Sequence, residues 1–200
     1  MRNGEKKAIE IFREAGGVLT TGEALERGVH PRELYVLRDR GNVEALTRGV
    51  YRLTDLPPLS DPDLVTVALR VPKAVVGLVS ALHLHELTTH IPHQVDIVLP
   101  RGTRRPRLDW PPLRVFRMSS ETFSWGIEEV ERDGVTVRVY GPAKAVADCF
   151  RFRSRVGTDV AVEALRSGLA RRRFTQAEFM KTAEVCRIGS VARPYLEALQ

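Results

Sequence analysis

Between Gly17 and Leu53 the chain reads GVLTTGEALERGVHPRELYVLRDRGNVEALTRGVYRL, and its punctuation leaves few ways to fold. Thr20 and Glu23 stand at the spacing of a capping box. There the threonine hydroxyl and the glutamate carboxylate each satisfy an amide that the first helical turn leaves open. The helix they begin stops at Arg27-Gly28. Pro31 suits a first helical turn, where its missing N–H costs nothing, so it starts another helix that runs through Arg40 and closes at Gly41. Asn42-Val43 then leads into a short hairpin turned at Thr47-Arg48-Gly49, with Val50, Tyr51 and Leu53 on the returning strand. Upstream, Lys6 to Ala15 places Ala8, Ile9, Ile11, Phe12 and Ala15 on one helical face, and Gly16-Gly17 ends it. Three helices followed by a hairpin, in this order, is the plan of a winged helix-turn-helix.

In that plan the second helix of the helix-turn-helix lies in the DNA major groove. Leu34 and Leu37 mark its buried side, so Arg32, Tyr35, Val36 and Asp39 point outward, with Arg40 at the margin and Arg38 nearer the interior. Arg32 suits bidentate contact to guanine, while Tyr35 and Val36 suit a thymine methyl or a sugar. Arg38 and Arg40 suit phosphates. Arg48, beside Thr47 at the hairpin tip, suits the minor groove or the backbone. Thr20 and Thr21 offer a phosphate site through amides at a helix start. Glu33 and Asp39 on or near this surface repel phosphate out of register, which favours selective binding.

Charge sharpens the picture. The chain carries a net charge of +6, with arginine far outnumbering lysine. Residues 1–59 hold ten basic and nine acidic side chains, and residues 60–200 hold 21 and 16. The reading segment is therefore nearly neutral, and attraction to DNA depends on local placement. Arg101, Arg104, Arg105 and Arg107 form the densest basic cluster and are expected to add auxiliary phosphate contacts. Arg151, Arg153 and Arg155, and then Arg171 to Arg173, make two further clusters.

LTDLPPLSDPD, residues 53–63, reads as a linker rich in Pro, Asp and Ser. Beyond it the pattern is mixed. Helices are expected at 63–71 and 80–87, the latter capped by Ser80, and strands at 94–99 and 113–118. A hairpin at 127–140 turns on Asp133-Gly134, and helices follow at 143–153, 158–170, 175–187 and 192–199. The fold class is α+β: a winged helix-turn-helix over 1–55 and a larger domain over 56–200, with a small mixed sheet and C-terminal helices. Neither a signal-like leader nor a membrane-length apolar run is present, so a cytoplasmic location is expected, with no membrane partner.

Catalytic and metal signatures are weak. His83, His85, His90 and His93 fall close together, but no Cys or Glu pair completes a ligand set, and HExxH spacing is absent. His85 is expected to be buried and bonded between its helix and the following loop. Ser80 lacks a GxSxG elbow. Asp96 invites comparison with a metal-dependent nuclease, a reading that survives only if folding brings Asp96, Lys144 and Asp148 into one cleft. Lys144 and Asp148, at i and i+4, are better read as a structural ion pair. Cys149 and Cys186 are isolated and are expected to be reduced core thiols. No enzyme activity, metal or cofactor is expected.

The blocks GGVLTTGEAL, LYVLRDRG and LTRGVYRL resemble the N-terminal domain of the AbiEi family of antitoxin-like transcriptional regulators. The resemblance continues in DLVTVALRVPKAVVGLVSALHLHELTTHIPHQVDIVLPRGTRRP and in DGVTVRVYGPAKAVADCFRFR, covering roughly residues 8–155. Two positions depart from the family pattern: Ala145 stands where members often carry Thr, and His83 is at a variable position whereas His85 is at the recurrent one. The resemblance implies a winged-helix repressor that binds double-stranded DNA in its own promoter, at inverted or direct repeats. It also implies a nucleotidyltransferase-like toxin encoded nearby, in a type IV toxin–antitoxin or phage-defence setting, with room for an oligomer. The alternative is an antitoxin or adaptor that acts mainly through protein or RNA contacts of its C-terminal domain.

Overall fold

The computed structural model describes residues 3–199, which fall into two compact units. Among the described residues, unit 1 comprises 3–72, 107–111 and 131–137, and unit 2 the rest.

Unit 1 runs α1 (Asn3–Glu14), β1 (Val18–Thr20), α2 (Thr21–Glu26), α3 (Pro31–Asp39), β2 (Val43–Thr47), β3 (Val50–Leu53) and α4 (Pro62–Arg70). The three strands form an antiparallel sheet in the order β1-β3-β2. The expected capping box forms in full: the Glu23 amide donates to Thr20 Oγ1 at 3.1 Å, and the Thr20 amide donates to Glu23 Oε2 at 2.8 Å. Pro31 occupies the first turn of α3, and His30 caps that helix, its Nδ1 accepting the Arg32 amide at 3.2 Å. Ala8 and Phe12 of α1, Ala24 of α2 and Leu34 and Leu37 of α3 close on Val43, Tyr51 and Leu53 of the sheet. At about 25 cal/mol per Å² of apolar area, such burial is the principal force holding three short helices together.

Two features of this unit depart from the sequence expectations. β1 is a strand that periodicity does not disclose. The stretch expected as a linker is pinned: Arg52 donates from Nη1 to Glu44 Oε1 at 2.6 Å and from Nη2 to the carbonyls of Leu56 and Pro57. Val65 of α4 packs with Val18 and Val50 of the sheet in a second apolar cluster, separate from that of the three helices.

Unit 2 contains β4 (Val75–Val76), α5 (Leu78–Leu84), β5 (Val95–Pro100), β6 (Leu113–Met118) and α6 (Ser120–Ser124). The hairpin strands β7 (Ile127–Arg132) and β8 (Val135–Tyr140) follow, their outer ends counted with unit 1. Five helices complete the chain: α7 (Pro142–Arg151), α8 (Arg153–Val156), α9 (Thr158–Ala170), α10 (Gln176–Val185) and α11 (Gly189–Glu197). The sheet order is β6-β5-β4-β8-β7, with β5 parallel to β6, β4 parallel to β8 and β4 antiparallel to β5. The α+β class expected from the sequence is therefore the one observed. α7 lies at the centre of the helical layer against α5, α9 and α10, and the Phe150 ring packs tilted against those of Phe179 and Tyr195. Among the described residues no helix is long and apolar enough to cross a membrane.

Ser80 is not the expected cap. α5 begins at Leu78 after Gly77, and Ser80 lies within it. Its hydroxyl accepts the Asp96 amide at 2.9 Å and donates to the Gln94 carbonyl at 3.4 Å. His85 is only half-buried, and its Nε2 lies 2.8 Å from the carbonyl oxygen of Tyr140 on β8 rather than bonding the loop that follows α5.

Candidate nucleic-acid interface

The solvent face of α3 and the β2–β3 turn carry most of the residues expected to meet DNA. Arg32 and Tyr35 are exposed, Tyr35 at 49%, and Val36 is half-buried. Arg48 is exposed at the tip of the hairpin. Neither Arg32 nor Arg48 gives its guanidinium to an acid or a carbonyl of the protein among the described residues. Their donors thus remain available to an external acceptor at no cost in broken ion pairs.

The other expected contacts are differently placed. Arg38 is exposed rather than tucked inward, and it donates from Nε and Nη2 to Asp39 at 3.0 and 2.8 Å while lying over the Tyr35 ring. Hydrogen bonding to Asp39 and the charge of that carboxylate push the Arg38 pKa further up. Arg40 donates from Nη1 to Glu5 Oε2 at 2.6 Å, and that carboxylate is only 4% exposed. Arg40 therefore anchors α3 to α1, a structural role the sequence expectation lacked.

Thr47 does not project from the tip. A register irregularity between Ala45 and Thr47 sets Thr47 opposite Val50, and its side chain turns into the interior at 9% exposure. The amides expected to be open beside Thr20 and Thr21 are also engaged. The Thr20 amide serves Glu23, the Thr21 amide donates to the Gly49 carbonyl at 2.9 Å, and the Glu23 amide serves Thr20. These three amides are therefore taken by the cap of α2 and by the wing, and the Thr21 hydroxyl also meets the Gly49 carbonyl at 3.5 Å.

One basic residue in this region escaped the sequence reading. Arg70, exposed in the last turn of α4, brings Nη1 to 3.3 Å from the point where a Cβ on Gly49 would sit. It flanks the wing turn beside Thr21. Its place in a helix tail was visible; its approach to residue 49 depends on how α4 packs.

In unit 2, Arg101, Arg104 and Arg105 are exposed on the loop after β5, and Arg107, counted with unit 1, is exposed too. Asp96 is fully buried. It accepts from Arg114 Nε and Nη2 at 2.6 and 2.7 Å and from the Val79 amide at 3.1 Å. Lys144 and Asp148 are equally enclosed. Lys144 Nζ donates to Asp148 Oδ2 at 2.5 Å and sits 4.0 Å from the Tyr140 ring centroid. Burial pushes the Asp148 carboxyl up, against the opposing pull of Lys144. Asp96 is thus paired with Arg114 and Asp148 with Lys144, each carboxylate bonded to a basic partner inside the protein. Cys149 and Cys186 are free and buried as expected, and burial pushes the Cys186 thiol up to about 12. Among the described residues no three His, Cys, Asp or Glu side chains gather as a metal-binding group.

A helical triad closed by a three-stranded sheet, with an exposed second helix and a solvent-facing hairpin, defines unit 1 as a winged helix-turn-helix. Residues 6–54 match the family model described as transcriptional regulator, AbiEi antitoxin. Over those residues the chain is similar to the AbiEi antitoxin regulators. A solved structure, the RV2827C protein from Mycobacterium tuberculosis, is similar with a TM-score of 0.60 at 16% identity, covering 98% of this chain and 82% of that one. At that identity the likeness speaks to the fold alone. No curated protein sequence matches the chain.

Proposed function

We propose that the protein is a sequence-specific DNA-binding repressor that regulates its own operon as the antitoxin component. The observation that carries this reading is the contrast among the arginines of the winged unit. Arg38, Arg40 and Arg52 are tied to Asp39, Glu5 and Glu44, whereas Arg32 and Arg48 face solvent unengaged. Arg32 near the start of α3 would read a guanine edge, and Tyr35 and Val36 would follow the groove wall. Arg48, with Arg70 beside the wing turn, would bind backbone. Arg38 would reach a phosphate once Asp39 releases it. Arg101, Arg104, Arg105 and Arg107 would add grip.

The partner in the operon would be a nucleotidyltransferase-like toxin, and the place of action the cytoplasm. The similarity of residues 6–54 to antitoxin regulators supports a toxin partner and fits action in the cytoplasm. The chain would act without catalysis of its own.

Duplexes enriched from a random-sequence library by the full chain provide the test. Arg32→Ala should cut affinity for the enriched duplex by roughly 5- to 100-fold, the loss expected of one bidentate base contact, with little effect on scrambled duplexes. Equal binding of enriched and scrambled duplexes by wild type, or an unchanged preference in Arg32→Ala, would refute α3 as the reading helix.

A further inference from the structure

Asp39 is the last residue of α3 and follows Arg32 by two helical turns, on the same outward stripe. A carboxylate at the C-terminal end of a helix faces the negative end of its dipole, and beside DNA it also faces phosphates. The chain holds one there all the same, and braces it. Arg38 Nε and Nη2 donate at 3.0 and 2.8 Å, both to Asp39 Oδ1, and the Arg38 Cζ lies 5.1 Å from the Tyr35 ring centroid. No donor of the protein bonds Oδ2 among the described residues, and the Asp39 side chain is 65% exposed. The outward stripe of α3 thus ends in an oriented acceptor with one open oxygen.

We infer that Asp39 Oδ2 accepts the 4-amino group of a cytosine in the major groove, which makes Asp39 a specificity-determining residue. The inference rests on the reading of duplex DNA by α3 proposed above. An ionised carboxylate only accepts hydrogen bonds. In the major groove guanine shows two acceptors, thymine an acceptor and a methyl, and adenine an acceptor next to its amino group, whereas cytosine shows an amino donor alone. Only cytosine therefore meets Oδ2 with a donor and no lone pair beside it. The helix rises about 10 Å from Arg32 to Asp39, roughly three base-pair steps of 3.4 Å, so the cytosine lies about that far from the guanine read by Arg32. The same contact makes the grip of Arg38 conditional. If Arg38 left Oδ1 for a phosphate over any other base, Asp39 would stand among backbone charges without a donor. Over cytosine the amino group takes that place.

The test takes a duplex enriched by the full chain and varies each of its core pairs in turn. Wild type should show one position at which replacing cytosine weakens binding roughly tenfold. The base 2-pyrimidinone, which differs from cytosine only in lacking the 4-amino group, should cost as much there. Asp39→Ala should bind every base at that position alike, keep the guanine preference supplied by Arg32, and melt close to wild type. Asp39→Asn, whose amide adds a donor to the acceptor, should move the preference to adenine. Three results would overturn the proposal. One is an Asp39→Ala chain that keeps every base preference while binding enriched and scrambled duplexes more tightly, with a steeper salt dependence; Asp39 would then be a repelling charge only. The others are an Asp39→Ala chain that binds as wild type does, and a wild type indifferent to 2-pyrimidinone at every cytosine. Should Arg32→Ala lose its preference while Asp39→Ala keeps every one, the cytosine contact alone fails. Should wild type bind enriched and scrambled duplexes equally, the reading by α3 fails with it.

Discussion

The carboxylate of Asp133 accepts both the backbone amide and the hydroxyl of Ser60, a residue 73 positions earlier, at 3.0–3.1 Å. It also accepts the Asp61 amide at 3.2 Å. One turn residue thereby organises the chain that leads into α4, while its own backbone sits at φ +51° beside Gly134. Burial acts to raise the Asp133 pKa, and the hydrogen bonds from Ser60 and Asp61 outweigh it and hold the carboxyl below its ordinary range. A folded-state pKa lowered in this way contributes stability above the unfolded value, and the contribution fades as pH falls through the folded value. Asp133→Asn retains the tolerance for positive φ and removes the charge. It should lower stability by about 1 kcal/mol at neutral pH, and the gap to wild type should close on acidification. Thermal melts of both proteins across the acidic range would check it. A gap that persists in acid would mean the charge is not what matters.

The Lys144–Asp148 pair yields a second prediction, about coupling. Both side chains are within 1% of complete burial. Lys144→Met leaves a carboxylate enclosed beside the weakly donating Cys186 thiol at 3.8 Å, and Asp148→Asn leaves an enclosed ammonium. Each should cost about 3–5 kcal/mol. The double substitution Lys144→Met/Asp148→Asn should cost much less than the sum, because no charge is then stranded. Chemical denaturation of the three variants measures the coupling; additive losses would contradict a paired burial.

Much of the winged unit was legible because its signals are local. The capping box needs only residues 20–23, the α3 start only Pro31, and the β7–β8 turn only Asp133-Gly134. What could not be read depends on partners far along the chain. β1 and β4, with three and two residues, are strands only because Tyr51 and Val98 pair with them. The Arg40 guanidinium is engaged by Glu5, 35 residues away, and Thr47 is turned inward by an irregularity that no period-2 pattern reports. Ser80 looked like a cap because serine favours helix starts. In the fold, Asp96 takes that place, receiving the Val79 amide while its own amide uses the Ser80 hydroxyl. In the candidate interface, the exposed positions on α3 followed from Leu34 and Leu37. Which arginines stay unpaired did not.

Gly49 tests how closely the wing is specified. It sits at φ +80°, and a Cβ there would lie 3.3 Å from Arg70 Nη1 and 3.5 Å from Thr21 Oγ1. Backbone strain at positive φ costs an L-residue about 1–2 kcal/mol, and the arginine must also shift. Gly49→Ala should lower stability by about that amount and weaken duplex binding more than Gly28→Ala, whose site is also at positive φ with open space around it. Parallel melting and duplex titrations of the two variants separate wing placement from a general loss of stability.

Arg32 on α3 and Arg40, the residue that caps its C-terminal end, are both exposed and should respond oppositely to removal. Arg40→Ala takes away the arginine partner of a buried carboxylate, so its effect should fall on folding, about 1–3 kcal/mol. Arg40→Ala/Glu5→Gln should recover part of that loss, since the neutral amide no longer needs a counter-charge. Duplex affinity of the folded Arg40→Ala protein should stay within about threefold of wild type, because only a phosphate contact at the margin of the helix is at stake. Arg32→Ala should do the reverse, leaving the melt unchanged while lowering affinity for the enriched duplex. Measuring stability and binding on the same samples decides the matter. Were Arg40→Ala to melt like wild type and lose affinity as Arg32→Ala does, the ion pair to Glu5 would be incidental and Arg40 would belong to the reading surface.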